Sequence, residues 1–312
     1  MKVAGMTTNW KLGLAFSLIT VLMWSLLPLS LNIVLQDMDP ITISWYRFSV
    51  SALIALLWYG RSSGPALKGM FAAGHRPFTL IAVAGLITNY LLYIWGLNLT
   101  TPGASQLLIQ LAPLILLIGS VVLFKEQFSA AQWLGVATGC AGMLVFFHAR
   151  LDSSTPTSPS YVTGVGLLIS AAVAWSFYGL AQKQLLKTFH TKHILLLLCL
   201  SGTVLLLPLA RPLEVLQLGS LGLAMLGFAS INTIVAYGCF GLAMSHWQAS
   251  RVSAIIPLTP LLTLLFTELL NRWHIMEVPA EKIDWLSGTG ALLVVLGAAM
   301  AALPRGTKTL PE

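Results

Sequence analysis

Amide side chains set deep in apolar sequence are the residues of this chain best suited to chemistry. Gln106 and Gln110 stand four residues apart, with Pro113 three further on, a spacing that predicts one shared helix face. A primary amide donates and accepts hydrogen bonds, so two on one face suit a zwitterionic or polyhydroxyl solute whatever its charge. They suit interhelical bonding equally well. Asn89 and Tyr93 share a second face at i, i+4, and Thr233 and Tyr237 a third, with Asn232 beside them. Indoles belong at membrane interfaces, where Trp10, Trp58 and Trp273 are expected; Trp24 and Trp175 instead fall mid-stretch, as core packing or as aromatic walls. The solute contacts expected on these grounds are Trp24, Asn89, Tyr93, Gln106, Gln110, Trp175, Tyr178, Asn232 and Tyr237.

The elements that must position these groups follow from composition. Of 312 residues, 57% are hydrophobic and 9% charged, with a mean hydropathy of +0.84; a soluble domain carries roughly 25% charged residues. A soluble globular chain is excluded. A helix crosses the hydrocarbon in about 20 residues, and apolar runs of that kind lie at about 12–34, 41–60, 78–97, 104–124, 131–149, 161–182, 193–210, 217–241, 248–271 and 284–304. They are continuously apolar rather than alternating, which predicts an all-α membrane protein of ten helices and not a barrel. The first run is too long for a signal-peptide core.

Basic residues give an independent reading of topology. Twelve of the 17 Lys and Arg fall in one set of alternate connections, among them Lys11, Lys68, Arg76, Lys187 and Lys192, and four in the other, Arg150, Arg211, Arg272 and Lys282. Both termini are therefore expected in the cytoplasm, and the net charge of +7 is topological signal rather than a sign of nucleic-acid binding. The remaining cation, Arg47, falls inside the second run. It reads either as a ligand for a solute carboxylate or, preferably, as a structural anchor paired with Asp39, Glu268 or backbone carbonyls.

The chain also repeats itself. Trp24-Ser25 matches Trp175-Ser176, and Thr88, Gly96-Leu97 and Ala104-Ser105 match Thr233, Gly241-Leu242 and Ala249-Ser250 at one constant offset; Gly135 and Gly142 answer to Gly290 and Gly297. Five helices per half is an odd number, so two similar halves, 1–150 and 151–312, must insert in opposite orientations. Asp39-Pro40 with Arg47, the Ala104 to Pro113 stretch, Lys125-Glu126, Gln132-Trp133-Leu134-Gly135 and Gly142, and then Glu268, Trp285, Gly290 and Gly297 together resemble the EamA-type members of the drug/metabolite transporter superfamily. Lys125 in place of a glycine, and the long 271–283 connection, depart from that pattern. The resemblance implies ten helices as two inverted repeats, and export of small metabolites.

The chemistry the chain lacks narrows its function. It has no phosphate-binding loop, no HExxH and no diphosphate-metal cluster, and Cys140, Cys199 and Cys239 have no metal-ligand spacing. No cofactor or metal is expected. No carboxylate lies at the membrane midplane, which leaves facilitated diffusion, exchange or coupling through Glu268. Gly135, Gly139 and Gly142 predict close helix packing, with a homodimer contact as the alternative. The reading is a bacterial inner-membrane secondary transporter, not an enzyme, moving small polar or amphipathic, amino acid-like solutes outward by alternating access. An intramembrane lipid-modifying enzyme and a passive channel are the rivals.

Overall fold

The computed structural model describes residues 10–124, 129–148, 158–246, 255–275, 277–280 and 284–301. Lys125-Glu126 and Ala249-Ser250, used in the sequence comparison, lie outside them, as do Arg150 and Lys282. The helices are α1 (Trp10–Val34), α2 (Pro40–Met70), α3 (Arg76–Asn98), α4 (Pro102–Leu108), α5 (Leu111–Phe124), α6 (Ala130–Phe146), α7 (Pro159–Leu185), α8 (Thr191–Leu206), α9 (Ser220–His246), α10 (Thr259–Arg272) and α11 (Trp285–Ala301). Five of these, α1, α2, α3, α7 and the Ser220–Phe240 part of α9, are long and apolar enough to cross a membrane, and α6, α8 and α11 are shorter apolar helices. The chain is an all-α, multi-pass membrane protein. Leu53, Leu57, Trp58, Val122, Leu144, Phe177 and Leu205 are exposed on the outside of the bundle, a surface suited to lipid and not to water.

Helix starts are set by side chains that accept otherwise orphaned N–H groups. Asp39 caps α2 by accepting from the N–H groups of Ile41 and Thr42, with Pro40 in the first turn. Thr101 caps α4 ahead of Pro102, Ser158 caps α7 ahead of Pro159, and Ser129 with Gln132 forms a reciprocal capping box at α6. Around Asp39 a polar knot ties α2 to the α8–α9 connection. Thr42 Oγ1 donates to Asp39 and accepts from the Arg211 N–H at 2.9 Å, and Glu214 accepts from the Asp39 N–H at 3.2 Å.

Two of the expected helix limits change. The second run was expected to end near residue 60, but α2 continues to Met70 through Pro65. The helix there carries polar side chains, and Ser62 and Ser63 satisfy their hydroxyls on it by donating to the Tyr59 carbonyl at 3.0 and 2.8 Å. The 104–124 run, expected as one helix, is two. Pro113 has no N–H to offer the Ile109 carbonyl, which is taken instead by the Ala112 N–H at 2.9 Å, while the Gln110 N–H reaches Leu107 at 3.1 Å. The tighter spacing at Ile109–Gln110 ends α4 and starts α5.

The main helix pairings are α1 with α9, α3 with α7, α2 with α8 and α6 with α11. Exchanging the two halves turns the first two pairings into each other and leaves the last two unchanged, a pseudo-symmetric arrangement. An asparagine amide bonds across each of the first two pairings, at positions that differ by two to three residues from exact repeat equivalence. Asn89 on α3 donates to the Ala171 carbonyl of α7 at 2.9 Å, and Asn232 on α9 donates to the Met23 carbonyl of α1 at 2.6 Å. Glycines seat α6 on α11: a Cβ at Gly142 would lie 2.6 Å from the Val294 nitrogen, and one at Gly135 2.7 Å from the Gly297 carbonyl oxygen. That face is taken within the chain, so a homodimer contact has no glycine stripe left there.

Candidate solute site beside Pro28 of α1

Pro28 sits inside α1 and leaves the Trp24 carbonyl without its i+4 donor. Three other helices converge there. Gln106 of α4 donates from Nε2 to the Trp24 carbonyl at 2.5 Å, Asn232 of α9 takes the Met23 carbonyl, and Thr263 of α10 donates from Oγ1 to the Ser25 carbonyl at 2.8 Å. Three consecutive carbonyls of one helix are thus held by side chains from both halves. Exposed backbone carbonyls at membrane depth belong where protein or a path covers them.

Aromatic rings surround the same level of the bundle. Trp24 meets Tyr237 edge-on at 5.5 Å between ring centroids and Phe240 at 5.9 Å, and Trp175 meets Tyr178 at 6.0 Å. The indole of Trp175 lies within hydrogen-bonding reach of the Tyr237 hydroxyl. Trp24, Trp175, Tyr178 and Tyr237 therefore form one group across α1, α7 and α9. Trp24, Trp175 and Tyr237 are half-buried and Tyr178 is buried.

The amides divide by partner. Gln106, Asn89 and Asn232 are each buried and each donate to a carbonyl of another helix, the bonding role weighed as the alternative for this residue type. Tyr93 faces the Ser105 hydroxyl at 3.4 Å. Gln110, 6% exposed, makes no side-chain hydrogen bond among the described residues. Because α4 ends between them, Gln106 and Gln110 do not share the regular face that their spacing predicts. Asn232 Oδ1 is also buried without a partner among the described residues.

Neither carboxylate considered for Arg47 pairs with it. Its Nε donates to the Ala229 carbonyl at 3.3 Å, its Nη2 to Thr233 Oγ1 at 3.5 Å, and its guanidinium lies 4.4 Å over the Tyr90 ring. Glu268 is exposed on α10, which takes coupling through it away from the buried core. Among the described residues no three His, Cys, Asp or Glu gather to hold a metal ion.

A cavity of about 450 Å³ lies elsewhere, at the Val34 end, lined by Asn32, Leu35, Gln36, Asn98, Glu277, Val278 and Pro279. None of these was expected from the sequence. Its wall is fixed by Asn271, which donates from Nδ2 to the Val278 carbonyl and accepts the Val278 N–H, both at 2.8 Å. Asn32, Gln36 and Asn98 were legible as polar residues at span ends. Thr263, bonded to the Ser25 carbonyl, was the other omission, hidden as one threonine among several.

Known proteins resemble this chain in fold and in sequence. A solved structure described only as a crystal structure of a protein covers 94% of this chain and 98% of its own at a TM-score of 0.61 and 22% identity, a likeness of fold. The "Uncharacterized transporter" of Haemophilus influenzae is 35% identical over 303 residues, covering 96% of this chain and 97% of its own. The "Uncharacterized inner membrane transporter YhbE" of Escherichia coli K12 is 35% identical over 293 residues, with coverage of 94% and 91%. More distant is the "Probable amino-acid metabolite efflux pump" of the same organism, 20% identical over 298 residues. The model of the EamA-like transporter family matches residues 11–148 and 162–303. The chain belongs to the EamA-like transporter family, whose members are transporters and not enzymes.

Proposed function

We propose that the protein exports small polar or amphipathic metabolites of amino acid-like chemistry, by alternating access between two inverted five-helix halves, 1–150 and 151–312. The observation that carries this reading is the stretch of α1 before Pro28, where Gln106 of one half and Asn232 and Thr263 of the other hold adjacent carbonyls. Rocking of the halves alters the Asn232 and Thr263 bonds, which cross between them, while Gln106 holds the intervening carbonyl from within the first half, so this stretch of α1 is the natural place for solute and conformation to be coupled. Gln110 supplies an amide with free hydrogen-bonding capacity, and Trp24, Trp175, Tyr178 and Tyr237 supply apolar faces with polar edges. Asn89, Tyr93, Gln106 and Asn232 shape the path around them.

The two separate stretches matched by the family model support two halves, and the relative named as an amino-acid metabolite efflux pump supports the solute class and the outward direction. The relative named as an inner membrane transporter supports a bacterial inner-membrane location, and the basic bias supports cytoplasmic termini. The test is metabolite profiling of cells lacking and overproducing the protein. Overproduction is expected to raise the external level of at least one amino acid-like metabolite and lower its internal level. Unchanged export of every metabolite, with the protein correctly inserted, overturns the reading.

A further inference from the structure

Arg47 is 4% exposed and lies within α2, where an ion without a counter-charge is costly. Among the described residues the ion pairs are His148 with Asp284 and Arg211 with Glu214; Arg47 has none. Its two hydrogen bonds, at 3.3 and 3.5 Å, lie at or beyond the long end of the usual range. Its Nη1 makes no bond among the described residues. The guanidinium is nonetheless held in place, since Tyr90 lies beneath it at 4.4 Å and is itself stacked on Phe48 at 4.5 Å. Stacking on a ring face leaves the in-plane N–H groups free to bond, and with Nε and one Nη2 hydrogen engaged the open edge is the Nη1–Nη2 side, which can take a carboxylate end-on through two bonds.

The position also fits the path. Thr233, bonded to Arg47, is four residues before Tyr237, and one turn of α9 carries about 6 Å. Tyr237 in turn packs on Trp24, four residues before Pro28 in α1. We propose that Arg47 binds a carboxylate of the transported solute, so that the path accepts ionised acids and discriminates against their neutral amides. The inference rests on the transporter reading above and names the charge of its solute.

The test uses the full-length protein in proteoliposomes and in detergent, with the twenty L-amino acids and their primary amides as probes. At least one acid is expected to raise the melting temperature and to enter by counterflow, with its amide at least tenfold weaker. Arg47→Gln is expected to abolish that preference, and Arg47→Lys to retain part of it. Without probe, Arg47→Met is expected to melt no lower than wild type, because it removes an unpaired buried charge; a marked loss of stability would instead make Arg47 an anchor and overturn the proposal. Equal transport of acids and amides overturns it while leaving the transporter reading intact. Transport of neither overturns both. Protection by chloride or phosphate equal to that by the acids assigns the site to inorganic anions and also overturns it.

Discussion

Gln106 Nε2 donates a 2.5 Å hydrogen bond to the Trp24 carbonyl, the acceptor that Pro28 leaves open four residues further along α1. The bond compensates a specific backbone defect, and that makes it testable as a pair. Gln106→Leu is expected to cost about 1 to 3 kcal/mol, as the loss of a buried acceptor's partner does. Pro28→Ala supplies an N–H to the same carbonyl, so the two substitutions should couple by roughly 1 kcal/mol or more in a double-mutant cycle. Melting of the four proteins in detergent measures this, and strict additivity would contradict it.

Acid stability should depend on Asp39. Burial pushes this carboxyl up, but the hydrogen bonds from the Thr42 hydroxyl and the N–H groups of Thr42 and Ile41 outweigh it and hold the group below its usual range. A folded-state value below the unfolded one means that the contribution is fully present above about pH 4, the unfolded carboxylate value, and is lost as pH falls through the folded value. Asp39→Asn should flatten the acid limb of a melting-temperature profile between about pH 2 and 5 and leave its slope near neutrality unchanged.

Alanine should have opposite effects at two helical glycines. At Gly142 a Cβ would crowd the Val294 nitrogen and the Gly290 carbonyl oxygen at 2.6 and 2.8 Å, so Gly142→Ala is expected to lose about 1 to 3 kcal/mol by overpacking. At Gly238, within α9, a Cβ meets nothing within 4 Å. Gly238→Ala is expected to gain about 0.5 to 1 kcal/mol from helix propensity and reduced chain entropy. Thermal unfolding of both variants against wild type decides the signs.

Topology can be read with cysteines. After replacement of the exposed Cys140, single cysteines beside Lys68 and Lys187 should resist a membrane-impermeant thiol reagent in intact cells, while one at Gln36 should react. Labelling of the first two from outside would reverse the orientation.

Apolar runs were enough to locate most of the helices, because hydrocarbon thickness constrains a sequence locally. The fate of each amide was not legible. Periodicity assumes a continuous helix, and the break at Ile109–Gln110 depends on which N–H replaces the one that Pro113 lacks. Asn89 and Gln110 are similar in sequence, yet one donates to Ala171 and the other is without a side-chain bond among the described residues. That difference comes from how α7 packs on α3, a tertiary fact. The cavity beside Asn32 and Glu277 needs Asn271 to fold the following segment back, which no helical pattern encodes.

The most direct measurement of the solute path is transport per folded molecule in Gln110→Leu. Gln110 is buried and holds no neighbouring helix by its side chain among the described residues, so its removal should leave detergent melting close to wild type. Loss of its bonds to solute should weaken transport about tenfold or more, corresponding to at least about 1.4 kcal/mol. Full transport per folded molecule, with or without a loss of stability, would contradict the account.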